Sequence, residues 1–296
     1  MQNIADIIMP ISIAVIMFGI GLELKFSDFR RVFYYPKSIF TGLASQMFLL
    51  PLIAFALVYF WPMQPIHKVG IMLLAACPGG TASNLVTKML RGRVALSVSL
   101  TAFNSFLILF TIPIIIELSY NLFGTESKSV DLSFWRTMKE VMTSVVLPVM
   151  SGIIIGNLLS DKQRESLHKP LQYILPSLLL IAVVTVIFID ESSSNIRYMD
   201  YLPLFGPLIL LNLFTMLTGF FTAKSLKLKH DTAFTIAIEM GLQNSVLALY
   251  IANQLLKDED LSLIAILYGS FSLITTFGFA YLFKQYFKPS GKSKKM

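Results

Sequence analysis

The stretch "AACPGGTASNLVTKML", residues 75–90, decides how this chain is read. It lies inside an apolar run, yet its centre is Pro78-Gly79-Gly80. Proline removes a backbone donor and clashes with the preceding helical turn, and two glycines add conformational freedom. A helix is expected to break there and a new one to begin between Thr81 and Asn84. Irregular backbone at membrane depth persists only where it is buried in protein or lines a wet cavity. A second candidate break lies in "TIAIEMGLQNSVLAL", residues 235–249, where Gly241 stands between Glu239 and Gln243-Asn244-Ser245.

The rest of the chain sets the solvent. Of its 296 residues, 55% are hydrophobic and 14% charged, whereas an ordinary soluble domain carries about 25% charged residues. Runs of about 20 apolar residues, enough to cross a bilayer, recur at 4–23, 38–60, 69–90, 94–122, 138–159, 171–189, 202–222, 232–256 and 261–283. The expected fold class is an all-α polytopic membrane protein with nine transmembrane helices. A β-barrel would show strands of about 10 residues with alternating pattern. The short connectors leave no space for a separate soluble domain.

The net charge of +7 does not point to nucleic acid, because it is distributed by side. The odd-numbered connectors and the tail hold 18 of the 24 Lys and Arg residues. Cytoplasmic loops are the ones enriched in these residues. The N-terminus is therefore expected outside and the C-terminus in the cytoplasm, in a plasma (inner) membrane. Residues 284–296 read as a basic cytoplasmic tail near anionic lipid. The first run ends in "GIGLELKFSDFRR", charge rather than a small-residue cleavage site, and reads as a retained span. The lone Cys77 forms no internal disulfide.

Spans 1–4 and 6–9 have similar layout and opposite direction, and the interrupted helix is third in each. That is the pattern of an inverted repeat, and matching interruptions in two halves point to a transporter's binding site. Freed carbonyls at such breaks accept a small hard cation, while freed N–H groups at the start of a half-helix attract anions.

Glu239 lies about eight residues into its span. An ionised acid on a lone helix at mid-bilayer costs about 3 kcal/mol on insertion scales. No Lys, Arg or His falls at comparable depth, since His67, His168 and His230 are in or beside connectors. A bound cation or a proton would resolve the charge. The neighbourhood is rich in neutral oxygens: Gln46 on span 2; Thr81, Ser83, Asn84 and Thr87 after the first break; Ser97 and Thr101 four apart on span 4; Gln243, Asn244 and Ser245 after Glu239. Such donors suit a hard ion, whereas zinc or haem would want His or Cys.

"CPGGTASNLVTKMLRGRVALSVSLTAFNS", "EMGLQNS" and "GIGLELKFSDF" resemble the motifs of the bile acid:sodium symporter family, over nearly the whole chain. The resemblance implies two sodium ions. The first site would use Ser83, Asn84, Ser97, Thr101 and Glu239. The second would use Gln46, Glu239 and Gln243, with the backbone carbonyls of Met240 and Leu242. Family members often carry Val and Met at those two positions, and backbone ligation makes the change harmless. Substrate would lie near Thr81, Ala82 and Asn244, with Pro78, Gly79, Gly80 and Gly241 opening the helices. The family's division implies a panel, about 1–30 and 138–189, and a core, about 38–122 and 202–283. Many bacterial members have ten spans. This chain starts at what would be their second, as nine-span members do, and the missing helix would belong to the panel rather than the ion sites.

Two sodium ions against one glutamate leave about one positive charge in a poorly screened place, where charge interactions are several-fold stronger than in water. The implied function is sodium-coupled symport of a small or amphipathic organic anion by alternating access. The alternative is a proton-coupled transporter with Glu239 as the proton carrier. An enzyme is not expected, because one deep carboxylate without a deep His or metal provides no nucleophile and base. Partners are the anion and the lipid bilayer; oligomeric state stays open. Asn104 and Ser105 are candidates for the cavity wall. Asp231 with Thr232 reads as the N-cap of span 8, Glu117 as a residue reaching the interface, and Trp61 and Trp135 as interface anchors.

Overall fold

The computed structural model describes residues 34–123, 142–160 and 198–286 without interruption, with parts of 11–27 and short pieces between 135 and 170. The expected span at 171–189 lies outside the described residues, and spans 1 and 5 are described in part. Every regular element among the described residues is a helix, and the only β pairing is one isolated bridge.

Helix α1 covers Pro36–Phe60. Its proline at position 36 suits a first turn, where the missing N–H is not needed. It widens into a π-turn over Ser45–Leu49, just ahead of Pro51, whose ring cannot continue the regular hydrogen-bond ladder. Helix α2 runs Pro65–Ala76 and α3 runs Thr81–Met89. A turn with Arg91 at φ 56° leads into α4, Val94–Phe123. α4 bends by 59° between its arms Val94–Ile108 and Phe110–Phe123. The cause is Pro113, whose ring clashes with the carbonyl four residues back.

A π-turn at Met142–Val146 opens α5, Leu147–Leu158. A 3₁₀ turn at Tyr198–Leu204 leads into α6, Phe205–Ser225. Helix α7 is His230–Gly241, α8 is Ser245–Tyr250, and α9 is Glu259–Tyr286. α7 begins two residues earlier than the Asp231 cap requires. Lys229 takes the N-cap position without a side-chain bond, and the Asp231 carboxylate accepts from Thr232 N at 2.8 Å instead. Inside the first turn the acid faces the positive helix end and takes one of its free N–H groups, without being the N-cap residue.

Among the described residues three stretches are long and apolar enough to cross a membrane, Pro36–Phe60, Tyr201–Ser225 and Glu259–Lys284, and the two arms of α4 make a fourth if taken as one span. Their outer faces carry Phe48, Phe60 and Ile274 at 69%, 80% and 74% exposure. Apolar surface on that scale needs lipid to cover it. The chain is a multi-pass membrane protein.

The partly described first span packs against α5 through glycines. A Cβ on Gly152 would strike the Phe18 carbonyl and approach Gly21 Cα at 2.9 Å; one on Gly156 would meet the Leu22 carbonyl at 2.8 Å. Small residues four apart let two membrane helices touch backbone to backbone.

Candidate functional site

Both suspected breaks are present. After α2, Cys77 turns extended, with ψ 147°, and Gly80 is extended at φ −113°, ψ −176°. After α7, Leu242 has φ −116°, ψ 95°. No glycine among the described residues has positive φ. Gly79 and Gly241 are therefore there for space rather than for left-handed backbone, since a Cβ would overlap Glu239 Oε2 at the first and Met216 Cγ at the second. The two breaks pair with each other. Gly79 lies antiparallel to Gln243, and Asn244 N donates to the Pro78 carbonyl at 2.8 Å.

Glu239 is fully buried at this crossing. Ser83 Oγ from α3 donates to its Oε1 at 2.8 Å, Ser97 Oγ from α4 donates to the same oxygen, and Thr101 Oγ1 reaches Oε2 at 3.4 Å. Gly79 makes space for the carboxylate, since a Cβ there would overlap Oε2. Among the described residues no basic side chain forms an ion pair with it.

The oxygens here outnumber the protons. Ser83 Oγ also lies 2.7 Å from the Gly80 carbonyl, and Ser97 Oγ lies 2.7 Å from Asn84 Oδ1. Each hydroxyl has one proton to give and faces two acceptors. Gln46, in the π-turn of α1, donates to the Glu239 backbone carbonyl at 3.3 Å and accepts from Asn104 Nδ2 at 3.4 Å. Gln243 Nε2 donates to the Met240 carbonyl at 2.8 Å, while its buried Oε1 has no partner among the described residues.

A small pocket opens beside the crossing, lined by Pro78, Asn244, Thr101, Ser105, Met17 and Val149, among others. Of the residues expected to touch substrate, Asn244 lines it, and its Oδ1 accepts from Leu247 N at 3.1 Å to cap α8. Thr81 is the first residue of α3. Ala82 packs on a second apolar cluster with Val86, Ile238 and Leu242. Ser105 reaches the pocket, whereas Asn104 turns to Gln46.

Sequence reasoning missed a second polar nest, on the side of α7 toward α6 and α9. There the Gly241 carbonyl accepts from Asn212 Nδ2 at 2.5 Å, Tyr268 OH at 2.6 Å and Thr276 Oγ1 at 3.3 Å. The signal was available: Asn212 is a lone amide inside "LILLNLFT", conspicuous for the same reason as Glu239. Tyr268 and Thr276 are eight apart on one helix, and nothing in the sequence aims them at residue 241.

Two broken helices, paired at their breaks around a buried acid within a multi-pass helical protein, have the build of an ion-coupled membrane transporter. The chain belongs to the sodium bile acid symporter family, whose profile its residues 10–196 match. An uncharacterized sodium-dependent transporter of Bacillus subtilis, YocS, is 31% identical over 243 residues, 82% of this chain and 72% of that one. The probable chloroplastic sodium/metabolite cotransporter BASS1 of Arabidopsis thaliana is 29% identical over 82% of this chain, which spans 58% of that protein. The human ileal sodium/bile acid cotransporter is 26% identical over 97% of this chain and 81% of its own. These relatives are transporters, not enzymes.

Proposed function

We propose that this protein is a sodium-coupled symporter of an organic anion, working by alternating access. The observation that carries the reading is the excess of oxygen around Glu239. Four acceptor contacts are made by Ser83 and Ser97 with two protons between them. Added positive charge relieves that crowding, and the ligands are the hydroxyl, amide and carboxylate oxygens a hard alkali cation takes.

In this reading the first sodium sits among Ser83, Asn84, Ser97, Thr101 and Glu239. The second sits among Gln46, Glu239, Gln243 and the carbonyls of Met240 and Leu242. The unpartnered Gln243 Oε1 supports a cation there. Two monovalent cations against one carboxylate leave about one positive charge, and the N-terminus of α3 adds its dipole. The cargo is accordingly an anion, held near Thr81, Ala82 and Asn244. Nine spans form an inverted repeat of 1–4 and 6–9, with the N-terminus outside and the C-terminus in the cytoplasm of a plasma membrane. The core, about 38–122 and 202–283, moves against a panel, about 1–30 and 138–189. The pocket between Asn244 and Thr101 on one side and Met17 and Val149 on the other lies where those parts would meet.

The test is thermal unfolding of purified protein with a panel of organic anions, in sodium or in choline at fixed pH. Anions should stabilise the wild type in sodium and not in choline, and Glu239→Gln should lose the difference. Stabilisation that is equal in both salts and follows pH would overturn sodium coupling in favour of a proton on Glu239.

A further inference from the structure

The end of α7 presents carbonyls with no donor inside the helix, as helix ends do, and the three before Leu242 are satisfied in different ways. The Glu239 and Met240 carbonyls take the amides of Gln46 and Gln243, both proposed sodium ligands. The Gly241 carbonyl takes Asn212, Tyr268 and Thr276, none of which belongs to a proposed ion or substrate site. Those three residues also hold one another. Asn212 Nδ2 lies 2.9 Å from Thr276 Oγ1 and 3.3 Å from Tyr268 OH, and Asn212 Oδ1 accepts from Thr275 Oγ1 at 3.0 Å. The contact with the Gly241 carbonyl, which can only accept, fixes which way the amide points. Asn212, Tyr268 and Thr276 are fully buried. The amide nitrogen stands among three oxygens, as a cation would.

The crossing is thus built with one side that lacks positive charge, toward α3 and α4, and one side where a neutral amide supplies the donors, toward α6 and α9. We infer that Asn212, Tyr268 and Thr276 are positioning residues for sodium binding. They hold the Gly241 carbonyl and, through it, set the terminus of α7 that carries Glu239 and the carbonyls of Met240 and Leu242. This inference rests on the sodium reading above. If it holds, loosening the nest weakens sodium binding more than it weakens the fold. A nest serving only stability would lower unfolding temperature alike with and without sodium.

The experiment titrates sodium, balanced with choline, against the unfolding temperature of the full chain. The variants are Tyr268→Phe and Thr276→Val, with Ser119→Ala as a control. Ser119 is buried near the far end of α4 and, among the described residues, bonds only its own helix, at the Ile115 carbonyl. Fitted from the growth of the shift with sodium, the half-saturating concentration should be about fivefold higher in each nest variant, the equivalent of one net hydrogen bond, and no higher than wild type in Ser119→Ala. If both nest variants keep the wild-type half-saturation, whatever their unfolding temperature in choline, this inference is overturned and the sodium reading stands. If wild type itself responds equally to sodium and choline, both fall together.

Discussion

Gly79 and Gly80 are neighbours with opposite tolerances. A Cβ on Gly79 overlaps the Glu239 carboxylate and comes within 3.4 Å of Gln46 Nε2 and Ser83 Oγ. One on Gly80 meets nothing nearer than Asn244 at 3.8 Å, on backbone any residue adopts. Gly79→Ala should therefore cut sodium affinity at least about tenfold, while Gly80→Ala stays near wild type; sodium titration of the two variants checks the contrast. His67, in the first turn of α2 and ahead of the apolar run at 69–90, makes the other residue-scale case. It is buried, its Nε2 has no partner among the described residues, and its ring lies edge-on to Tyr201 at 5.6 Å. Burial holds its pKa below the ordinary value, and Asp260 and then Asp258 pull it partly back. Above about pH 6.5, the usual histidine value, folded and unfolded chains both hold it neutral and it costs nothing. As pH falls below that value the unfolded chain takes up the proton first, so stability drops. Unfolding temperature should decline through this window in wild type, and the decline should be shallower in His67→Phe, which keeps the ring without the titration.

At the scale of elements, breaks in helices were easier to read than contacts between them. Pro78-Gly79-Gly80 announced the gap between α2 and α3, and Glu239 beside Gly241 announced the one between α7 and α8. Both depend on local chemistry, the loss of a donor and a carboxylate with no basic neighbour in its own segment. The glycine seam between the first span and α5 was not legible, because Gly152 and Gly156 look ordinary until the facing Phe18 and Leu22 carbonyls are in place. Gly152→Leu should force these helices apart. By the usual penalty of overpacking it should destabilise by about 1–3 kcal/mol, measured as a lower unfolding temperature in detergent, without altering the sodium concentration for half-saturation. A variant as stable as wild type would mean the seam is not a fixed contact.

For the whole molecule, the crossing brings Ser83 from α3 and Ser97 and Thr101 from α4 to the Glu239 carboxylate on α7, and Gln46 from α1 to the backbone carbonyl of the same residue. In the proposed transporter, sodium binding and anion binding act on the same crossing and must be coupled. Linkage then requires that saturating anion tighten sodium by the same factor by which sodium tightens the anion. Isothermal titration of each ligand with and without the other measures both factors. Factors that are both unity would place the two ligands on independent elements and remove the crossing from the mechanism.

By itself the sequence determined the solvent, the helical class, the positions of both breaks and the acid that needs company. Each follows from the chemistry of a few consecutive residues: apolar length, a missing donor, an unpaired charge. Only the tertiary structure decided that the breaks pair with each other, that Gly79 serves by its lack of a side chain, that Ala82 packs into apolar core, and that Asn212, Tyr268 and Thr276 converge on the Gly241 carbonyl. Those outcomes depend on directions of side chains set by helices distant in sequence, and periodicity along one chain carries no record of what will face it.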